Sequence, residues 1–267
     1  GFTLPNESGG FVNNNGTSYV SWNWKAGGSA STNENGSIDS SVSVNTDAGF
    51  SIGTYTGNAT NNATVGHGLS SAPQMIIVKQ RGSGGDNWQV YWNDGTERNG
   101  FLNLTNAFNT PASTSQWGDN APTSSVFTLG SDTATNVAGS LVFYAFHSVQ
   151  GYSKFSSYVG NGSADGPFVY TGFSPAFVMM KNASQGGKWL MMDNKRPTSG
   201  GNPNNARLFA DVSNAESTTT NMIDMFSNGF KLLTGDTDHN ASGDINTYMA
   251  FAENPFVTST GVPTTAR

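Results

Sequence analysis

A long internal repeat constrains this chain more than any other feature. Gly49-Phe50-Ser51, leading to Tyr55-Thr56-Gly57-Asn58, returns as Gly151-Tyr152-Ser153 leading to Tyr158-Val159-Gly160-Asn161, an offset of 102 from Gly49 to Gly151. Pro73-Gln74-Met75-Ile76-Ile77-Val78-Lys79 returns at the same offset as Pro175-Ala176-Phe177-Val178-Met179-Met180-Lys181. The match continues through Trp88 and Trp189, through 102–107 and 208–215, and through Phe127-Thr128-Leu129 and Phe230-Lys231-Leu232. It closes on Tyr144-Ala145-Phe146 and Phe251-Ala252-Glu253. A fixed period of this kind marks stacked copies of one supersecondary unit.

The closing element occurs a third time at the start, as Phe2-Thr3-Leu4, Asn15-Gly16 and Tyr19-Val20-Ser21-Trp22-Asn23-Trp24. The expected organisation is therefore the C-terminal part of a truncated first repeat over 1–24 and a connector over 25–48. Two full repeats follow over 49–150 and 151–256, then an extended tail over 257–267. The connector, rich in Gly, Ser and Asn, reads as flexible, with a strand expected near 37–44. Because the chain opens on Gly1 with no initiator Met, a fragment of a longer protein is expected. Two Trp on a closing strand without its module should not stay in water. The strand is expected to join a neighbouring sheet by strand addition, or to belong with upstream residues.

Composition decides the secondary-structure class. Of 267 residues 33 are Gly and none is Cys, and Asn, Ser and Thr outnumber the strong helix formers. That bias starves helices and supplies turns and strands. Short apolar or alternating runs separated by Gly/Asn/Asp/Ser clusters place strands near 50–56, 75–79, 87–92, 101–104, 124–129 and 140–147. Trp88, Val90 and Trp92 alternate with Gln89, Tyr91 and Asn93, so one face of that strand is expected inward and the other wetter. The fold class is all-β, as tandem β-sandwich (jelly-roll-like) modules of about 100 residues.

Only 11% of residues are charged and the net charge is -6, without a Lys/Arg cluster, so no nucleic-acid partner is expected. No apolar run approaches membrane-spanning length, so no membrane insertion is expected. Without cysteine there is no disulfide and no thiolate chemistry.

Candidate chemistry is sparse. His67 and His239 read as loop residues and His147 as a strand end, with no ligand spacing or triad context among them. Asp236, Asp238, Asn240 and Asp244 carry oxygen ligands at alternate positions, as a calcium loop does, although Ala241 and Thr247 break the EF-hand pattern and a polar hairpin loop gives the same residues. Calcium is the one cofactor the sequence suggests. Asp86, Asp94, Glu97, Asp193, Asp211, Glu216 and Asp224 would have to supply any glycosidase pair, and none forms a motif. Trp92, Trp117, Tyr55, Tyr158 and Tyr170 are candidates for stacking on sugar rings, against core positions as the plainer alternative. Asn-X-Ser/Thr triplets at Asn6, Asn58, Asn62 and Asn161 follow from composition and carry no information.

Several longer stretches resemble a repeat domain of unknown function found in virion and tail-fibre-like structural proteins of marine bacteriophages. They are Tyr19 through Gly28, Thr64-Val65-Gly66-His67-Gly68-Leu69, Gly151 through Phe155, Gly160 through Val169, and Ala250 through Phe256. The resemblance implies a non-enzymatic virion structural or adhesive protein on the particle exterior: a tail fibre, a spike or a capsid decoration. Its partners would be other virion proteins, further copies of itself, with a trimer preferred by analogy with fibres, and host surface glycans. A carbohydrate-active enzyme or binding module, and a bacterial surface adhesin or filament subunit, are the alternatives.

Overall fold

Alternation of β-branched and aromatic residues with small polar ones, broken every few residues by Gly, Asn or Asp, leaves the chain few options besides short strands. The computed structural model describes residues 2–4, 12–82, 86–197 and 199–255. In chain order the first half contains β1 (Ser31–Asn33), β2 (Ser40–Asn45), β3 (Phe50–Thr56), β4 (Ala63–Gly66), β5 (Met75–Gln80), β6 (Gln89–Asn93), β7 (Glu97–Phe101), the one-turn helix α1 (Thr114–Trp117), β8 (Val126–Leu129), the one-turn helix α2 (Thr133–Asn136) and β9 (Ser140–Phe146). The second half contains β10 (Ser153–Val159), β11 (Phe168–Tyr170), β12 (Pro175–Asn182), β13 (Leu190–Asp193), β14 (Leu208–Phe209), β15 (Ile223–Phe226), β16 (Gly229–Leu232), the one-turn helix α3 (Thr237–Asn240) and β17 (Ile245–Ala252). The protein is all-β apart from these single turns.

Strand order runs alike in the two halves. A seven-stranded sheet is ordered β1-β2-β3-β9-β5-β6-β7, and a five-stranded sheet β10-β17-β12-β13-β14. Its last five members thus occur in corresponding order in both. A small sheet accompanies each: β4-β8 in the first half and β11-β16-β15 in the second. All named strand pairs are antiparallel.

Three apolar clusters fix the layering. Val65, Phe127 and Leu129 of the first small sheet meet Tyr55, Val78, Tyr91 and Phe143 of the seven-stranded sheet. Val169, Phe230 and Leu232 meet Tyr158, Val178, Met180 and Tyr248 in the second half. The remaining faces of the two large sheets meet each other: Phe50, Met75, Ile77, Val90, Trp92 and Phe146 against Phe155, Phe177, Met179, Met249 and Phe251. Each fully buried side chain of this size contributes about 1.5–3 kcal/mol, so the contact between halves counts as a core in its own right.

This packing corrects several expectations. Gln89 and Tyr91 are buried along with Val90 and Trp92, because the β6 face expected to be wetter is covered by the small sheet while the other faces the second half. The connector is ordered: β1 and β2 extend the large sheet past β3, with Val42 paired to Gly53 and Asn45 to Phe50. Strand β7 lies over Glu97–Phe101, N-terminal to the expected 101–104, and β4 was not anticipated. Residues 2–4 are exposed and form no strand. The expected tail over 257–267 lies outside the described residues.

The segment carrying the two tryptophans docks, but not as a ladder strand. Residues 18–27 run extended, and among the described residues they make no backbone–backbone hydrogen bond. Trp22, Trp24 and Ala26 point inward while Ser21, Asn23 and Lys25 face out, so period 2 persists without a pairing partner. Gly27 passes so close to the Val44 carbonyl that a Cβ there would collide with it.

Candidate functional site

The Trp22-to-Ala26 segment straps over the edge of the contact between the two large sheets. Trp24 sits 5.4 Å from Phe251 and 5.8 Å from Phe177, ring centre to ring centre, and 6.4 Å from Phe146. Trp22 lies 5.5 Å from Phe177, and its indole N–H donates to Asp193 Oδ2 at 3.2 Å. Arg196 holds the other side of that indole, 5.4 Å from the ring centre, and also donates from Nε to Asp193 Oδ2 at 2.6 Å. Burial alone would raise the Asp193 carboxyl, but hydrogen bonds from Arg196 and from the Lys195 N–H, with the guanidinium charge, bring it below the ordinary value. Outside the rings, Asn45 Nδ2 donates to the Lys25 carbonyl at 2.9 Å and Ser43 Oγ to the Gly28 carbonyl at 2.7 Å.

Beneath the strap lies a cavity of about 520 Å³. Phe50, Ile52, Ile77 and Phe146 wall it from the first half, Phe177, Met179, Met191 and Met249 from the second, and Trp22 and Trp24 line it on the strap side, leaving it partly open to solvent. Apart from Asn23 and the Tyr144 phenol, the lining side chains are hydrocarbon, thioether or indole. Neither the cavity nor the sheet-to-sheet contact around it was recognised from sequence. The available signal was the continuous apolar character of 75–78 and 177–180, which requires cover on both faces.

The sequence-predicted sites resolve differently. Trp92, Trp117, Tyr55 and Tyr158 are core residues with no face free for a sugar ring. They fill the contacts that hold the sheets together, which is what large aromatics on alternating strand positions do first. Tyr170 is the exception: it is 59% exposed on the outer face of the second small sheet. Phe168 and Phe226 share that face, their rings 5.9 Å apart, and Lys154 Nζ stands 5.3 Å from the Tyr170 ring centre. Gly229, opposite Tyr170, leaves room that a Cβ would take from the Phe168 ring.

The alternating oxygens of the expected calcium loop are spent within the protein. The Asp236 side chain caps α3 by accepting from Asp238 N at 2.8 Å, and Asp238 pairs with Lys188 at 3.3 Å. Asp244 accepts from Asn182 at 2.8 Å and from Gln185 at 3.2 Å. The Asn240 amide donates to the carbonyls of Thr234 and Ser163 at 2.7 and 2.9 Å, while its oxygen accepts from Asn161 N. Among the described residues no three of His, Cys, Asp and Glu stand together as metal ligands do. The pattern belongs to helix capping, where Asp and Asn at a turn start satisfy free N–H groups. The first half does the same, with Asp132 capping α2 and Asn136 bridging Thr60, Gly130 and Asn58.

Two of the histidines are buried, His67 in the loop after β4 and His239 in the one-turn helix α3. His67 is fully buried, its Nδ1 accepting from Leu69 N and its Nε2 placed 3.1 Å from the Thr123 carbonyl, so it is held neutral. Burial lowers its pKa to about 4. His239, equally buried, has Nε2 3.1 Å from the Lys188 carbonyl, and burial lowers its pKa against the pull of Asp236 and Asp238. His147 Nδ1 faces the Ser148 carbonyl at 2.9 Å. Of the acids that might serve a glycosidase, Asp94 is paired to Arg98, Asp193 and Glu216 to Arg196, and Asp211 accepts from Trp189 N.

A family described as a domain of unknown function, DUF7483, matches residues 1–255, which takes in the strap, both large sheets and both small ones. The chain belongs to the DUF7483 family. No curated protein and no solved structure matches the chain. No helix among the described residues of this DUF7483 chain is long and apolar enough to cross a membrane.

Proposed function

We propose that this DUF7483 chain is a non-enzymatic structural and adhesive protein of a bacteriophage particle, carried on its exterior as part of a tail fibre, a spike or a capsid decoration. The two halves act as tandem β-sandwich modules, divided near 150, with the strap lying across both. What supports an adhesive role is the placement of exposed apolar side chains. Beyond residue 20, the large hydrophobic residues standing well out of the described surface are Val159 (55%), Phe168 (48%), Tyr170 (59%) and Phe226 (42%), all in the second half. Three of them share the outer face of one sheet, and a cluster of that kind on an otherwise polar surface marks a contact site. Further virion proteins, copies of this chain in a trimer, and host surface glycans stacking on Tyr170 are the partners it suits.

The sequence resemblance carries the assignment to a phage particle. Mass spectrometry and immunogold labelling of purified particles test it. Recovery of the chain with capsid or tail proteins is expected, and recovery only from a bacterial cell-surface fraction would overturn it in favour of a cellular adhesin. Glycan-array binding that Tyr170→Ala abolishes without lowering the melting temperature would establish the adhesive face.

A further inference from the structure

We propose that the cavity between the two large sheets is a binding site for an uncharged apolar small molecule, and that the Trp22-to-Ala26 strap is its lid. This site is separate from the Tyr170 face and does not depend on the particle assignment.

Volume and lining point the same way. At about 520 Å³ the cavity is within the range of small-molecule sites and larger than one missing side chain would leave. Ordered water needs two to four polar partners, and besides the exposed Asn23 the lining side chains offer only the Tyr144 phenol and indole N–H donors, so water gains little there. A hydrocarbon or fused-ring guest gains dispersion contacts along the whole wall of such a space. A charged guest would be stranded, because no Lys, Arg, Asp or Glu lines the space. Met179, Met191 and Met249 supply walls that adapt to the shape of a guest.

The lid follows from how the strap is attached. Every sheet strand is tied by a backbone ladder, whereas residues 18–27 are held by aromatic contacts, the Trp22-to-Asp193 bond and the Asn45 bond to the Lys25 carbonyl. Lifting the strap breaks no ladder. It uncovers the cavity while both sheets stay folded, a low-energy local opening of the kind ligand entry requires.

The test is titration of the full chain with N-phenyl-1-naphthylamine, an uncharged apolar dye that brightens out of water. Saturable binding of one dye per chain is expected. Ala26→Phe, which fills the space from the lid, should weaken binding at least tenfold, and Lys25→Ala, outward on the same strap, should leave it unchanged. Should Ala26→Phe fail to fold, Met191→Phe fills the opposite wall and carries the same expectation. In the unaltered protein, saturating dye should slow amide exchange in 18–27 and leave β11 and β16 unaffected. Absence of saturable binding, binding indifferent to a folded filling variant, or slowing confined to β11 and β16 would each overturn the proposal.

Discussion

The Tyr158 hydroxyl donates to the backbone carbonyl of His239 across 2.7 Å, pinning the end of β10 to the one-turn helix α3. Tyr55 does the same to Thr135 in α2 at 2.5 Å. Gly57 and Gly160, two residues after each tyrosine, pass so close to the Val137 and Ala241 carbonyls that a Cβ would sit 2.2 Å from either oxygen. The recurring Tyr-x-Gly-Asn signature is thus a lock between a strand end and a capped turn. Tyr55→Phe and Tyr158→Phe each leave a buried carbonyl without its donor and should each cost about 1–3 kcal/mol, read from urea unfolding.

Asn136 and Asn240 complete the same locks. Asn240→Ala removes an acceptor from Asn161 N and a donor from the carbonyls of Ser163 and Thr234. It should destabilise by about 2–4 kcal/mol, more than the tyrosine change, since several groups lose partners together. Equal or smaller loss on thermal melting would show that the turn relaxes around the vacancy.

What the sequence revealed, and what it hid, divides along physical lines. The period was legible because the locks need particular residues, a phenol, a glycine and an amide that recur at fixed spacing, although Tyr55 and Tyr158 read as sugar-stacking candidates and not as locks. The layering was not. Alternation at Trp88, Val90 and Trp92 reports two faces of β6 but not that Tyr91 meets a small sheet while Trp92 meets the other half. The inward pattern at 22, 24 and 26 reports extended backbone and is silent on whether a ladder exists. The oxygens at 236, 238 and 240 suit a cation or a helix cap equally, and the pattern does not show that Asp236 caps α3 or that Asp238 pairs with the distant Lys188. The cavity is a space between two sheets far apart in sequence, and no window of sequence records it.

Acid should weaken the fold through buried neutral histidine. His67 titrates near pH 6.5 when unfolded and about 4 when folded, and His239 is lowered in the same direction. Between those values the unfolded chain binds more protons, so stability falls as pH drops from about 6.5 to about 4. His67→Gln, which keeps a side-chain acceptor, should flatten part of that slope in melting curves at pH 7, 6, 5 and 4. An unchanged slope would mean that other groups carry it.

Alkali should act with the opposite sign at first. Lys181 is fully buried, donating to the Gly187 carbonyl, and burial lowers its pKa from 10.5 to about 8 despite Asp211 and Asp238. The unfolded chain then holds the extra proton between those values, so stability rises with pH from about 8. Above pH 10 the tyrosines reverse the trend. Burial raises Tyr248 to about 12 and raises Tyr55 and Tyr158 well above the ordinary phenol value, so unfolded phenols ionise first and favour unfolding. Melting temperature should therefore peak near pH 10, and Lys181→Met should remove the rise between 8 and 10 while keeping the fall.

The strap should matter for stability only as far as its rings pack. Trp24 touches Phe146, Phe177 and Phe251, one ring from the first half and two from the second, and it is only half-buried. Trp24→Ala should therefore cost about 2–3 kcal/mol, below the range for a fully buried aromatic. Because no ladder is lost, the strand signal in far-UV circular dichroism should persist while amide exchange accelerates across 18–27. Trp22→Phe keeps the ring packing but gives up the indole bond to Asp193, whose remaining partners are Arg196 and the turn N–H groups. Its cost should be near 1 kcal/mol. If Trp24→Ala instead unfolds β10 and β17 together with the strap, then the strap is part of the cooperative core and not a cover laid upon it.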